Sequence, residues 1–235
     1  MTHRAVAPVL LFAFLATGCQ TTRMAVDPVL AESVEAWAVK GHNPRVWNRP
    51  VVFGPFSTER VREGATRSWL LEGFGVGAGT ARQPYRFTQA GPDHRLEVEC
   101  FAQATQGWWG GLVVDLARGR KPILVCGIGE DLQANRWVLV LTRDASGFSG
   151  ELQRSPEGSG PGYVVTTVHE LKGSRLPQFD PVGYQISEAG GRVSVAVETV
   201  NAGRVWMTAQ SVPGRQEILA AASTALLLFR PPEVK

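Results

Sequence analysis

The chain has 235 residues, 24 Lys and Arg against 21 Asp and Glu, a formal net charge of +3 at neutral pH, and a 44% hydrophobic share. That length buries a core in one large all-β domain or two small ones. Basic residues are scattered apart from Arg118, Arg120 and Lys121, which excludes the concentrated positive footprint of a nucleic-acid binder, so no nucleic-acid partner is expected.

Arg4 supplies a short basic start. Residues Ala5 to Thr17 then run without a charge through Val9, Leu10, Leu11, Phe12, Phe14 and Leu15, and small residues lead to Cys19. This is the three-part layout of an export signal over residues 1–18. The run is shorter than the roughly 20 apolar residues that span a bilayer, and Gly18 suits a peptidase that needs a slim residue at the cut. Leu15-Ala16-Thr17-Gly18-Cys19 resembles the lipobox of bacterial lipoproteins. The resemblance implies that the Cys19 thiol is acylated and becomes the new amino terminus, the alternative being an ordinary signal peptide with a free cysteine nearby. In that family Gln20 is compatible with sorting to the outer membrane, so the expected location is the cell envelope, at the periplasmic face of the outer membrane, with the bilayer as partner through the Cys19 lipid. Each buried acyl methylene contributes about 0.8 kcal/mol, so two or more chains hold for long times. Residues 19–27 are expected to form a lipidated tether, polar at first and without hydrophobic period.

Nothing between Pro28 and Lys235 reads as a linker, so residues 28–235 are expected to form a single β-rich domain. Asp27-Pro28 before Leu30, Val34 and Ala38 predicts a short capped helix, with a strand near Trp37 to Val39 as an alternative ending. From Val51 onward short runs of Val, Ile, Leu, Thr and aromatics are punctuated about every ten residues by Gly, Pro, Asn or Asp, which is an all-β pattern. Predicted strands are Val51 to Phe56, Trp69 to Phe74, Tyr85 to Gln89, Leu96 to Ala102, Leu112 to Leu116, Ile123 to Ile128, Trp137 to Thr142, Gly150 to Gln153, Tyr163 to His169 and Gly183 to Ser187. Leu96, Val98 and Cys100 alternate with Glu97 and Glu99, as one buried and one wet face require; Val193, Val195 and Val197 repeat the device, and so do Val205, Met207 and Ala209.

Cys100 and Cys126 each alternate with apolar residues, so both thiols are expected to face the core. An oxidising compartment allows them to pair, closing a loop of about 27 residues worth on the order of 3 kcal/mol; two buried, unpaired thiols are the alternative. Gly73, Gly75, Gly77 and Gly79 resemble a phosphate loop in composition, but Pro84 and a strand follow where a helix would have to open, so a bulged strand or hairpin is expected. Trp108 and Trp109 sit between glycines in what reads as a turn, and the Arg118, Arg120 and Lys121 loop follows closely; together they are the candidate membrane or partner contact. His42, His94 and His169 lack paired ligand spacing, and Glu97 and Glu99, Glu130 and Asp131 read as solvated, so no metal, cofactor or catalytic set is expected. A pocket gathering His94, His169, Glu97 or Asp115 would overturn that expectation.

Ile218 to Phe229 carries no charge and is apolar on every side when wound as a helix, over about 215–229, stopped by Pro231 and Pro232. So apolar a rod must be surrounded, and it is too short to span a membrane. The predicted fold is therefore mainly β, a single antiparallel barrel or strongly curled sheet around a hydrophobic C-terminal helix. Gly183-Tyr184-Gln185-Ile186, then Val193 to Val197, Val205-Trp206 and the apolar helix, resemble the end of the tubby-like barrel superfamily, which includes the LURP-one proteins and phospholipid scramblases. That resemblance implies a barrel closed around its last helix, and no ligand residues carry over. The expected function is a non-enzymatic envelope lipoprotein acting as a binding or assembly module with an envelope protein partner; the alternative is a phospholipid-handling protein using Trp108, Trp109, Arg118, Arg120 and Lys121.

Overall fold

The computed structural model describes residues 22–42, 49–73, 76–109, 112–115, 122–130, 136–144, 147–155, 162–210, 212 and 214–232. The capping chemistry at the start acts as expected. In α1 (Pro28–Ser33) the Asp27 carboxylate accepts the Leu30 N–H at 3.0 Å, and Pro28 occupies the first turn, where its missing N–H costs nothing. The helix stops at Ser33, and the chain enters a strand at Trp37, the shorter of the two expected endings.

Among the described residues fourteen strands follow: β1 (Trp37–Ala38), β2 (Val52–Phe53), β3 (Phe56–Glu63), β4 (Arg67–Gly73), β5 (Val76–Ala90), β6 (Arg95–Trp109), β7 (Leu112–Asp115), β8 (Pro122–Gly129), β9 (Arg136–Asp144), β10 (Gly147–Ser155), β11 (Tyr163–Val168), β12 (Gly183–Glu188), β13 (Val193–Glu198) and β14 (Arg204–Met207). Twelve run in the antiparallel order β1-β14-β13-β12-β11-β10-β9-β8-β6-β5-β3-β2. The two ends of that path meet: Lys40, just past β1, exchanges backbone hydrogen bonds of 2.8 and 3.0 Å with Val52 of β2. The result is a nearly closed barrel, as the periodicity predicted. β4 and β7 lie off this wall. β4 pairs with Val76 to Arg82 of β5, and β7 with Gln106 to Trp109 of β6, so the two longest strands carry an extension of the sheet.

Cross-strand register places one face of each strand inward. Val98, Cys100, Leu124, Cys126, Ile128, Leu139, Leu141, Val165 and Ile186 all join one core with no appreciable exposure. A ring of twelve strands is wider than its own side chains can fill, and a helix of about 10–12 Å diameter suits the remaining lumen. α2 (Arg215–Leu228) occupies it: every residue from Glu217 to Leu228 is buried, and the helix touches β3, β5, β6, β8 and β13. Ala220, Ala221, Ala222 and Ala225 keep its girth small enough for that enclosure. Its polar groups are answered inside the barrel, as burial demands. The Thr224 hydroxyl donates to Gln89 Oε1 at 2.7 Å, the Tyr85 hydroxyl to the Ala225 carbonyl at 3.0 Å, and the Ser223 hydroxyl back to the Leu219 carbonyl at 2.7 Å.

β13 departs from the expected wet-face alternation. Val195 and Val197 point into the barrel, yet the outward Ala196 and Glu198 are equally buried, because the segment preceding α1 lies across them. A second, smaller core gathers there, joining Met24, Leu30, Val168, Val182 and Ala196.

Truncating the enclosed helix with Leu226→Ala is expected to cost about 2–5 kcal/mol, and filling a small position with Ala221→Leu about 1–3 kcal/mol by overpacking. Urea unfolding followed by circular dichroism measures both. Equal stability of both variants and the parent would mean that the helix is not packed as described.

Candidate functional site

Cys100 and Cys126 stand directly opposite in the β6–β8 ladder, Cα to Cα 4.0 Å, both pointing into the core, with their sulfurs 2.10 Å apart. The pair is thus placed to form a disulfide across two neighbouring strands, as the alternation and compartment suggested. It braces the wall behind the surface that carries the most unusual outward chemistry.

That surface is the outer face of β3, β5 and β6. A bulge between Glu59 and Arg62, with Arg60 at φ 53°, shifts the end of β3 so that Arg62 lies opposite Arg86. Arg86 in turn lies opposite Glu99, Pro84 opposite Phe101, and Arg67 of β4 opposite Arg82. Two like charges facing each other across a ladder repel, and Glu99 on the other side of Arg86 offsets part of that repulsion. Arg62, Glu63, Pro84, Arg86, Glu99 and Phe101 line an open cleft of about 370 Å³. Phe101 is 59% exposed at its rim and Trp69, further along β4, is 60% exposed. Arg82 donates to Gln103 at 3.0 Å and Glu63 accepts from Gln83, while the exposed Arg62 and Arg86 lie near the aromatic ring with Glu99 opposite Arg86. Arginine and tryptophan are the side chains that most often anchor protein interfaces, since each presents broad area with directed polarity.

The sites read from the sequence are distributed differently. Cys19, Arg118, Arg120 and Lys121 lie outside the described residues, as do Asp131 and residues 1–18. Trp108 and Trp109, expected in a turn, are the last two residues of β6, in register with Val113 and Leu112 of β7. The β preference of tryptophan extends the strand through both residues. The glycine-rich stretch is the β4–β5 hairpin, with Gly73 paired to Val76 and Gly77 and Gly79 inside β5. His94, Glu97 and His169 do not converge. His94 meets Glu130 at 2.7 Å, Glu97 accepts from the Thr88 hydroxyl at 3.0 Å, and His169 closes a distant loop against the Gln178 carbonyl. Asp115 belongs to β7, opposite Gln106. Among the described residues no group of three or more His, Cys, Asp and Glu gathers as metal ligands. His42 points its Nε2 at the Leu227 carbonyl, 3.0 Å away, at the end of α2, and burial holds its pKa below the ordinary histidine value.

The second unusual feature is the seat of the N-terminal segment. Residues expected to belong to a free tether are laid on the barrel from Thr22 onward. Met24 bridges to Leu171, the Lys172 N–H donates to the Arg23 carbonyl and the Ala25 N–H to the Glu170 carbonyl, both at 2.8 Å, and Asn201 Nδ2 donates to the Thr22 carbonyl at 2.7 Å. Gly183 makes the seat possible: a Cβ there would lie 2.2 Å from Met24 Sδ and from the Val197 carbonyl. Beneath the segment the Glu198 carboxylate is fully enclosed. Among the described residues neither oxygen has a hydrogen-bond partner, and the Arg23 guanidinium forms an ion pair with it at 3.6 Å. Sequence pattern hid this, because Glu198 follows a valine-rich strand as an ordinary solvated end would.

With this geometry in hand, the chain matches no known family model, no curated protein and no solved structure.

Burial pushes the Glu198 carboxyl above the ordinary glutamate value, against opposing pulls from Arg23 and Arg204. The folded state therefore binds a proton more readily than the unfolded chain, so stability falls as pH rises from the unfolded pKa through the raised folded one. Glu198→Gln is expected to melt higher than the parent at neutral pH, with the difference vanishing in acid, below the unfolded glutamate pKa. A pH series of thermal melts reads this. A difference that stays constant across the series would show that the carboxylate carries no such penalty.

Proposed function

We propose that the protein is a non-enzymatic envelope lipoprotein, held at the periplasmic face of the outer membrane through an acylated Cys19, whose barrel is a binding or assembly module. The observation that carries this reading is the outer face of β3 to β6, where Arg62, Arg86, Phe101 and Trp69 are presented outward together. Support comes also from the lumen: α2 fills it, so the interior is core, and recognition falls to the outside of the wall. A broad arginine and aromatic surface beside a cleft suits a protein partner with an acidic, partly apolar patch. Opposed guanidinium groups are relieved when a carboxylate from such a partner sits between them. Among the described residues no helix is long and apolar enough to cross a membrane, and in this reading attachment is left to the lipid.

Two measurements test this. Cys19→Ala is expected to move the protein from the outer-membrane fraction to the soluble periplasm, and unchanged fractionation would remove the anchor. A photo-crosslinking amino acid at Phe101 or Trp69 of the full chain is expected to give one discrete adduct in cells. The same probe at Val164, on the far wall, is expected to give none. Equal labelling from all three positions would remove the binding face.

A further inference from the structure

We propose that the loop joining β11 to β12 is a second membrane contact, entering the bilayer surface beside the lipid anchor with Leu176 and Phe179. The inference rests on Cys19 carrying the lipid, and it follows from where the chain meets the barrel.

Thr22 is fixed to Asn201, and it is three residues from Cys19. Three residues reach at most about 10 Å, so acyl chains on Cys19 hold the bilayer surface close to the point where Thr22 is pinned. A longer free tether would let the barrel turn in any direction; this one does not. The direction of exit is set too. Met24 lies antiparallel to Leu171, and the Lys172 N–H donates to the Arg23 carbonyl, so the chain running back toward Cys19 travels alongside residues 172 and 173, toward the loop.

That loop presents apolar side chains to solvent in an ordered frame. Leu176 is 75% exposed and Phe179 is 97% exposed. Neither is there through looseness of the backbone. The Gln178 N–H donates to the His169 carbonyl at 2.7 Å and the His169 ring meets the Gln178 carbonyl at 3.0 Å, closing the neck. Within the loop the Ser174 N–H donates to the Leu171 carbonyl, and the Ser174 hydroxyl donates to the Leu176 carbonyl. Lys172 and Arg175 are exposed on the same loop, with Glu170 and Asp180 at its base. Aromatic and leucine side chains flanked by Lys and Arg fit a lipid interface, where rings and aliphatic groups enter below the headgroups and cations stay among the phosphates. Single exposed apolar residues are commonplace on proteins. Two of them in a braced loop, within reach of the anchor and on the side the anchored chain leaves from, are placed for one particular surface.

The consequence is an orientation. In the twelve-strand order β12 and β5 stand six places apart, on opposite sides of the ring. Seating the β11–β12 loop on the membrane turns the Arg62, Arg86 and Phe101 face away from it, outward to a partner.

The test uses the full chain, purified with its lipid and reconstituted in vesicles of phosphatidylethanolamine and phosphatidylglycerol. Leu176→Cys, Phe179→Cys and Arg192→Cys are each labelled with a polarity-sensitive dye; Arg192 follows the turn at the far end of β12 and serves as reference. Mass spectrometry reads acylation of Cys19 in the same samples. With Cys19 acylated, spin-labelled phospholipid is expected to quench the dye at 176 and 179 more than about twofold beyond the dye at 192, as interfacial insertion requires. Acylated protein in which all three positions are quenched alike overturns the membrane contact and leaves the anchor standing. Protein without an acyl group on Cys19 overturns the anchor reading, and the orientation falls with it.

Discussion

The structure depends on one enclosure. A helix that is apolar on all sides cannot lie on a surface, and a ring of twelve strands cannot close on its own side chains; each supplies what the other lacks. The alanines of α2 set how near the wall comes, and the hydrogen bonds from Thr224 to Gln89 and from Tyr85 to the Ala225 carbonyl fix how the helix is turned inside it. Function follows by subtraction. With the lumen given to core, the wall's outer face, its loops and the chain's point of attachment are what remain to meet other molecules.

Those outer features differ around the ring. On one side the N-terminal segment is an added layer, seated on Gly183 and covering the Glu198 carboxylate, so the chain leaves the barrel at a fixed place. On the other, β3, β5 and β6 carry Arg62, Arg86 and Phe101 over the wall that Cys100 and Cys126 brace from within. Both sides gather charge and set a counter-charge beside it: Glu99 lies opposite Arg86, and Arg23 and Arg204 lie beside Glu198.

Much of the architecture could be read from residue order. Leu96, Val98 and Cys100 against Glu97 and Glu99 announce one wet face, and the uncharged run from Ile218 requires a surrounding wall. What escaped was whatever depends on register between distant strands. Arg62 and Arg86 become neighbours only through a bulge at Glu59, and nothing local to either residue says so. Residue order does not set β3 apart as a separate strand, since its second half, Arg60 to Glu63, is nearly all charged. Alternation at Val193 to Val197 suggested a solvated outer face that the N-terminal segment in fact covers, because a covering layer from far along the chain leaves no trace in a two-residue period. The glycine neighbours of Trp108 and Trp109 read as a turn, where strand preference carries both residues into β6.

The account is tested most directly by hydrogen exchange of the backbone amides of α2. If the helix is enclosed on every side, its amides open only when the barrel does. The amides of residues 219–228 are then expected to exchange with the same opening free energy as the central strands β6 and β8, following global stability as urea is added. Exchange of α2 well ahead of those strands, through an opening that urea does not affect, would contradict the enclosure and everything built on it.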